Sequence, residues 1–149
     1  MRILSRLLRD SAGAVVIETA LVTPILVLMS VGTYQVSQVI ARQHELQSGA
    51  DEAMSIALAG WTDNTAQVSA IKDVIKKSTG VTASNITIDR MYRCGSDTAY
   101  VTDKATCATG KIVSTYLKLK LKDTYTPSWT SFGVGQPINL AVTRMVQIS

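Results

Sequence analysis

The residue types that carry chemistry are few and scattered in this 149-residue chain. Its one histidine, His44, has Glu45 beside it and Asp51 further along the same stretch. A catalytic dyad there would need a nucleophile brought from elsewhere, and neither Gly-x-Ser-x-Gly nor His-Glu-x-x-His occurs. His44 reads as a solvated helix residue, and Ser5, Ser11 and the threonines have no triad context. Two cysteines, Cys94 and Cys107, remain. A zinc site would need more ligands, and a redox pair would more typically be Cys-x-x-Cys. An even count behind an export-type N-terminus favours a disulfide. With no phosphate loop and no metal-ligand cluster in the sequence, the expectation is a chain without cofactor or metal, and not an enzyme.

The residue that demands an explanation is Glu18. It lies near the start of an apolar run from Ala14 to about Val31. Charged side chains inside a bilayer are costly, about 2.5–3.5 kcal/mol for the worst of them at a helix centre. The bland reading is a protonated glutamic acid near the interface, neutral for function. The flanking residues argue for more. A short basic leader, 1–13, carries Arg2, Arg6 and Arg9 among leucines and ends at Gly13. The positive-inside rule keeps those arginines in the cytoplasm and sends the C-terminus across the membrane. The leader also resembles the n-region of a secretory signal, but no small-x-small site follows the apolar block at Ser30-Val31-Gly32-Thr33. The small residues precede it, at Ser11-Ala12-Gly13-Ala14.

The elements that would position these residues follow from periodicity. Residues 14–31 form roughly 18 helical residues, about 27 Å, close to the hydrocarbon thickness. Pro24 removes one backbone hydrogen bond there and is expected to kink the helix. Over residues 32–60 the pattern turns amphipathic: Val39, Leu46, Ala50, Ala53 and Ala57 share one narrow, alanine-rich face suited to a flat partner. With no breaker between, the two halves read as one helix of about 45 residues, ended by Gly60. In the remaining segment, 61–149, Asn64 and Gln67 form a capping box for a short helix with Val68, Ile71, Val74 and Ile75 inward and Gly80 beyond its end.

Three alternating segments follow, at 85–92, 111–125 and 138–148. In the second, Leu117, Leu119 and Leu121 oppose Lys118, Lys120 and Lys122, so its lysine row suits a sheet edge or an open face. Arg144 interrupts the apolar face of the third. Trp61 is expected in the core. Trp129 and Phe132 share a turn-rich loop and are candidates for contact with a partner. The polar loop between the cysteines has little apolar material of its own. The fold class is α+β: a long helix, a short helix and a small antiparallel sheet of about three strands.

Composition excludes little else. Hydrophobic residues make up 46% of the chain and net charge is +4, which falls to +2 when the leader's three arginines and one aspartate are set aside. That is too mild to point to nucleic acid.

The order of basic leader, Gly13, Ala14, Glu18 and long apolar helix resembles the class III signal of type IV pilin-like proteins. Gly13-Ala14-Val15-Val16-Ile17-Glu18-Thr19-Ala20-Leu21-Val22-Thr23-Pro24 is similar, more narrowly, to the N-terminal segment of TadE-like pseudopilins of the Tad (Flp, type IVb) pilus. The resemblance covers about residues 9 to 31. Thr19 stands where major type IV pilins commonly carry Phe. The resemblance implies a cut between Gly13 and Ala14 by a prepilin peptidase, with the anchor retained. It implies pairing of the new Ala14 amine with Glu18 of a neighbouring subunit. It further implies partners among other pseudopilins and the major Flp-type pilin, driven indirectly by an inner-membrane platform and ATPase. The expected place is the bacterial inner membrane, single-pass with the C-terminus in the periplasm, or extracellular within a pilus. The alternatives are a type II secretion pseudopilin and a membrane-anchored binding module.

Overall fold

A computed structural model describes residues 11–61, 65–130 and 135–149, with residues 11–14 described by their backbone alone. Most of the leader, the capping residue Asn64 and the loop residue Phe132 therefore lie outside the described residues. Helix α1 spans Ser11–Gly60, 50 residues and about 75 Å, and runs unbroken through Pro24. It starts earlier than expected, so the Gly13–Ala14 bond lies inside its first turn. Helix α2 spans Thr65–Thr79. Strands β1 (Ile86–Cys94), β2 (Val113–Tyr125) and β3 (Ile138–Gln147) form an antiparallel sheet in the order β1-β2-β3. The α+β architecture read from the sequence is the one observed.

The core forms where the alanine-rich face of α1 meets the leucine face of β2. Leu46, Ala50, Ala53 and Ala57 are buried against Leu117, Leu119 and Leu121, joined by Ile71 and Ile75 of α2 and by Ile86, Leu140 and Val142 of the flanking strands. Alanines let a helix lie close to a sheet, and the alternating leucines fill the gap. Burying one such leucine contributes about 1.5–3 kcal/mol. Val39 and Trp61 pack half-buried at the two ends of this face.

The two helices meet at Gly49. A Cβ there would collide with Thr79 Cγ2 and stand 3.2 Å from Ser78 Oγ, so the last turn of α2 can approach α1 only because the side chain is missing. Helix α2 then ends as its sequence requires: Gly80, at φ +70°, donates its N–H to the Lys76 carbonyl at 2.9 Å. The Gln67 amide reaches back to the Gly60 carbonyl and closes the end of α1.

Because β2 is the central strand, its lysine row lies on the open face of the sheet and not along an edge. The disulfide loop is better held than its composition suggests. Val101 pairs with Tyr92 on the free edge of β1, with N–H to carbonyl distances of 2.7 and 2.8 Å in the two directions. Tyr100 meets Tyr116 edge to face at 5.1 Å between ring centres.

Candidate assembly segment

Two kinds of surface alternate along α1. Every residue from 15 to 30 is exposed, and the side chains there are mostly aliphatic. From Gln35 onward one face is buried under the sheet. The exposed stretch is the one place among the described residues where a helix is long and apolar enough to cross a membrane.

Within that stretch the hydroxyls are satisfied locally. Thr19 Oγ1 donates to the Val15 carbonyl at 2.8 Å, Thr23 Oγ1 to Thr19 at 2.6 Å and Ser30 Oγ to Leu26 at 2.8 Å. Just beyond, Thr33 Oγ1 lies 3.1 Å from the Met29 carbonyl and 2.9 Å from that of Ser30. Such back-bonding lets a hydroxyl face lipid without a bare donor. Glu18 has no equivalent, because a carboxylate accepts hydrogen bonds and the neighbouring helical N–H groups are already used. It is exposed, and among the described residues it is the one polar side chain of the span with no partner in its own chain. Ala14 and Glu18 lie one turn apart along the axis, about 6 Å, and Pro24 about 9 Å beyond Glu18.

The other residues singled out from sequence lie elsewhere. Cys94 and Cys107 form a disulfide, with Cα atoms 5.4 Å apart, at the end of the sheet near Trp61 and far from the span. Trp129 is half-buried at the opposite end, where its carbonyl accepts a hydrogen bond from Gln35 Nε2 at 2.8 Å. That loop therefore rests on α1 just above the span, beside an apolar cleft of about 500 Å³ between Val36, Val39 and Pro127. His44 is exposed on α1.

Sequence reasoning missed the residues that fix the sheet to the helix. Arg42 donates through Nε to Asp123 Oδ2, and through Nη1 to Glu45 Oε2 and to the Thr79 carbonyl, each at 2.7 Å. Burial opposes its charge, but the hydrogen bonds and charges of Glu45 and Asp123 outweigh that and raise its pKa above the ordinary guanidinium value. Arg144 pairs with Asp51 at 2.6 Å, and that hydrogen bond, against a smaller opposing effect of burial, raises its pKa too. The break that Arg144 makes in the apolar face of β3 was the only visible signal of this contact.

The arrangement defines a class: an α+β protein carried on one end of a long helix whose other end is a lipid-compatible span bearing a single unpartnered carboxylate. Residues 13–55 match the family model of TadE-like proteins. The match begins at Gly13, takes in Glu18 and Pro24, and runs through Arg42 and Gly49 to within five residues of the end of α1. No curated protein and no solved structure matches the chain. Over those residues the long helix is thus similar to TadE-like proteins, as the resemblance implied.

Proposed function

We propose that this chain is a minor pilin or pseudopilin of a Tad (Flp)-type pilus, priming the filament or entering it, and serving surface adherence. The observation that carries this reading is Glu18: the span satisfies each of its other polar side chains and leaves that carboxylate alone. An unpaired carboxylate is unfavourable in lipid and useful beside a neighbour. A prepilin peptidase that cuts between Gly13 and Ala14 creates an amine about one turn from Glu18. In a staggered bundle, Glu18 of one subunit meets the Ala14 amine of the next, and pairing offsets the desolvation of both charges and sets the stagger. The cut requires the first turn of α1 to open. A helix end lacking half its hydrogen bonds, with a glycine in it, opens at low cost. Pro24, which cannot donate to its preceding turn, gives the span a point of bending during packing.

On this reading residues 1–13 are a cytoplasmic leader, 14–31 the span and 32–149 a periplasmic part in a single-pass inner-membrane protein. Its partners are the peptidase, companion pseudopilins, the major pilin and, indirectly, the platform and ATPase that supply energy. Two variants test it. Gly13→Leu leaves a membrane protein of full, uncut mass; identical masses for variant and wild type would sink the peptidase step. Glu18→Ala is cut normally but does not enter filaments, and attachment falls. Unchanged filaments and attachment would overturn the pairing, and a tethered binding module would behave in just that way.

A further inference from the structure

The open face of the sheet carries three lysines in a line on its central strand: Lys118, Lys120 and Lys122. Successive members are about 6.8 Å apart, since alternate strand residues share a face. Lysines on an edge strand discourage pairing with other sheets, but β2 has a strand on each side, so that explanation does not apply here. Across the strands the row faces mainly neutral side chains. Lys120 lies opposite Thr87 and Thr143, and Lys122 opposite Ala141; only Lys118 has a carboxylate opposite, Asp89. The carboxylates of Glu45, Asp51, Asp97 and Asp123 are engaged in ion pairs with other cations. Among the described residues no ion pair involves the three lysines. Three like charges are thus held in register on a rigid strand, where each raises the cost of the next.

We infer that this face binds a linear, sparsely charged polyanion, specifically an acidic polysaccharide. The strands lie along α1: Asp123 sits beside Arg42, and Arg144, opposite Leu119, beside Asp51. With the apolar span in a bilayer, the row stands along the membrane normal, so a lipid surface can touch one end of it at most. Charge spacing separates the polymers. Duplex DNA carries one charge per about 1.7 Å, four for each lysine of the row. A polymer with a carboxylate on every sugar or every second sugar comes closer to one for one. Single-stranded nucleic acid would need a run of exposed rings on which successive bases stack; Tyr116, which continues the row, is buried beneath Tyr100 and Arg93, and of the groups around it only Tyr100 offers an exposed ring. Thr87 and Thr143 instead line the row with hydroxyls able to hydrogen-bond to sugar. The inference goes beyond the filament reading and does not rest on it.

The test uses the full chain in nonionic detergent at low salt, with immobilised alginate as the probe, dextran as the neutral control and a short DNA duplex as the competitor. Alginate is expected to bind, dextran not, and added salt to weaken binding. Lys118→Gln/Lys120→Gln/Lys122→Gln is expected to weaken binding by about tenfold or more. Lys72→Gln/Lys76→Gln/Lys77→Gln, which removes the same charge from α2, is expected to change it by less than about twofold. Asp89→Asn, which removes the one opposing carboxylate, is expected to tighten it. No alginate binding by the wild type, equal losses in the two triple variants, or tighter binding of the duplex than of alginate would each overturn the inference. If the sheet triple does not fold, Asp89→Asn decides: no gain in affinity overturns it.

Discussion

Replacing Arg42 by Met should cost far more stability than replacing Arg144 by Met, although each arginine ties the helix to the sheet by one ion pair. Methionine keeps much of the apolar stem, so the comparison isolates the guanidinium. The Arg42 side chain is 23% exposed and its partner Asp123 22%. Removing the cation leaves a mostly buried carboxylate and the Thr79 carbonyl at the end of α2 without their donor. A hydrogen bond to a charged group contributes about 1.5–3 kcal/mol, and a buried acceptor left bare costs about 1–3 kcal/mol. Partial solvent access reduces both, and the Glu45 contact, on the more exposed side, adds little. The expected loss is about 2–3 kcal/mol, or a fall in Tm of roughly 6–12 °C for a folded part of this size. The side chains of Arg144 and Asp51 are 39% and 60% exposed, and such a pair is worth at most about 1 kcal/mol.

The assay is thermal unfolding of the full chain in nonionic detergent, followed by tryptophan fluorescence. A double-mutant cycle with Asp123→Asn should return a coupling of about 1–2 kcal/mol. Equal losses for Arg42→Met and Arg144→Met, or a loss below about 0.5 kcal/mol for the former, would refute the view that Arg42 locks helix to sheet. Salt should not rescue that view, because partly buried pairs are screened much less than exposed ones. Nor does pH change it near neutrality. A guanidinium whose folded pKa is raised contributes its full stability below the unfolded value and loses it only as pH climbs through the raised one.

Two further perturbations bear on the fold. Gly49→Ala should destabilise by about 1–3 kcal/mol despite the better helix propensity of alanine, because Thr79 is buried and its hydroxyl, donating to Ile75 at 2.7 Å, holds it in place; denaturant unfolding checks this, and a stabilised variant would show that α2 can shift away from α1. Paired Cys94→Ser and Cys107→Ser substitutions should cost less than the roughly 3 kcal/mol expected for a loop of this length in the chain-entropy model, about 2 kcal/mol, because the Val101 bridge and the Tyr100–Tyr116 contact still hold the loop; amide exchange at Tyr92 and Val101 reports whether they do.

Local pattern carried most of the architecture. The alanine stripe of α1, the leucine alternation of β2 and the Gly80 stop are each written within a few residues, and each forms as its spacing requires. Glu18 was legible for the same reason: its oddity is local, one carboxylate in an aliphatic run. What the sequence hides is pairing at long range. Arg42 looks like any solvated helix cation until β2 brings Asp123 to it from 81 positions away. Gly49 looks like a weak point in a helix, and only the crossing of α2 shows why a side chain cannot be there. The lysine row was legible as a row, but its place on the central strand depends on strand order, which alternation does not encode. What holds the disulfide loop besides its covalent bond, a bridge through Val101 and an edge-to-face contact through Tyr100, leaves no periodic trace.

These long-range contacts bear on how the anchor and the sheet act together. Among the described residues, three polar ties join α1 to the sheet and its loop: Gln35 to the Trp129 carbonyl, Arg42 to Asp123 and Asp51 to Arg144. Along the helix they are about 10 and 13 Å apart, and the leucine–alanine core fills the interval. A single tie would let the sheet rock on the helix, whereas three at separate levels, each to a different segment, do not. The lowest of them, at Gln35, lies just above the last residues of the apolar stretch. Rotation or displacement of the helix between Pro24 and Gln35 is therefore passed directly to the sheet, with no flexible stalk to absorb it. Whatever fixes the depth and rotation of that part of the helix fixes in the same step where the lysine-bearing face of the sheet points.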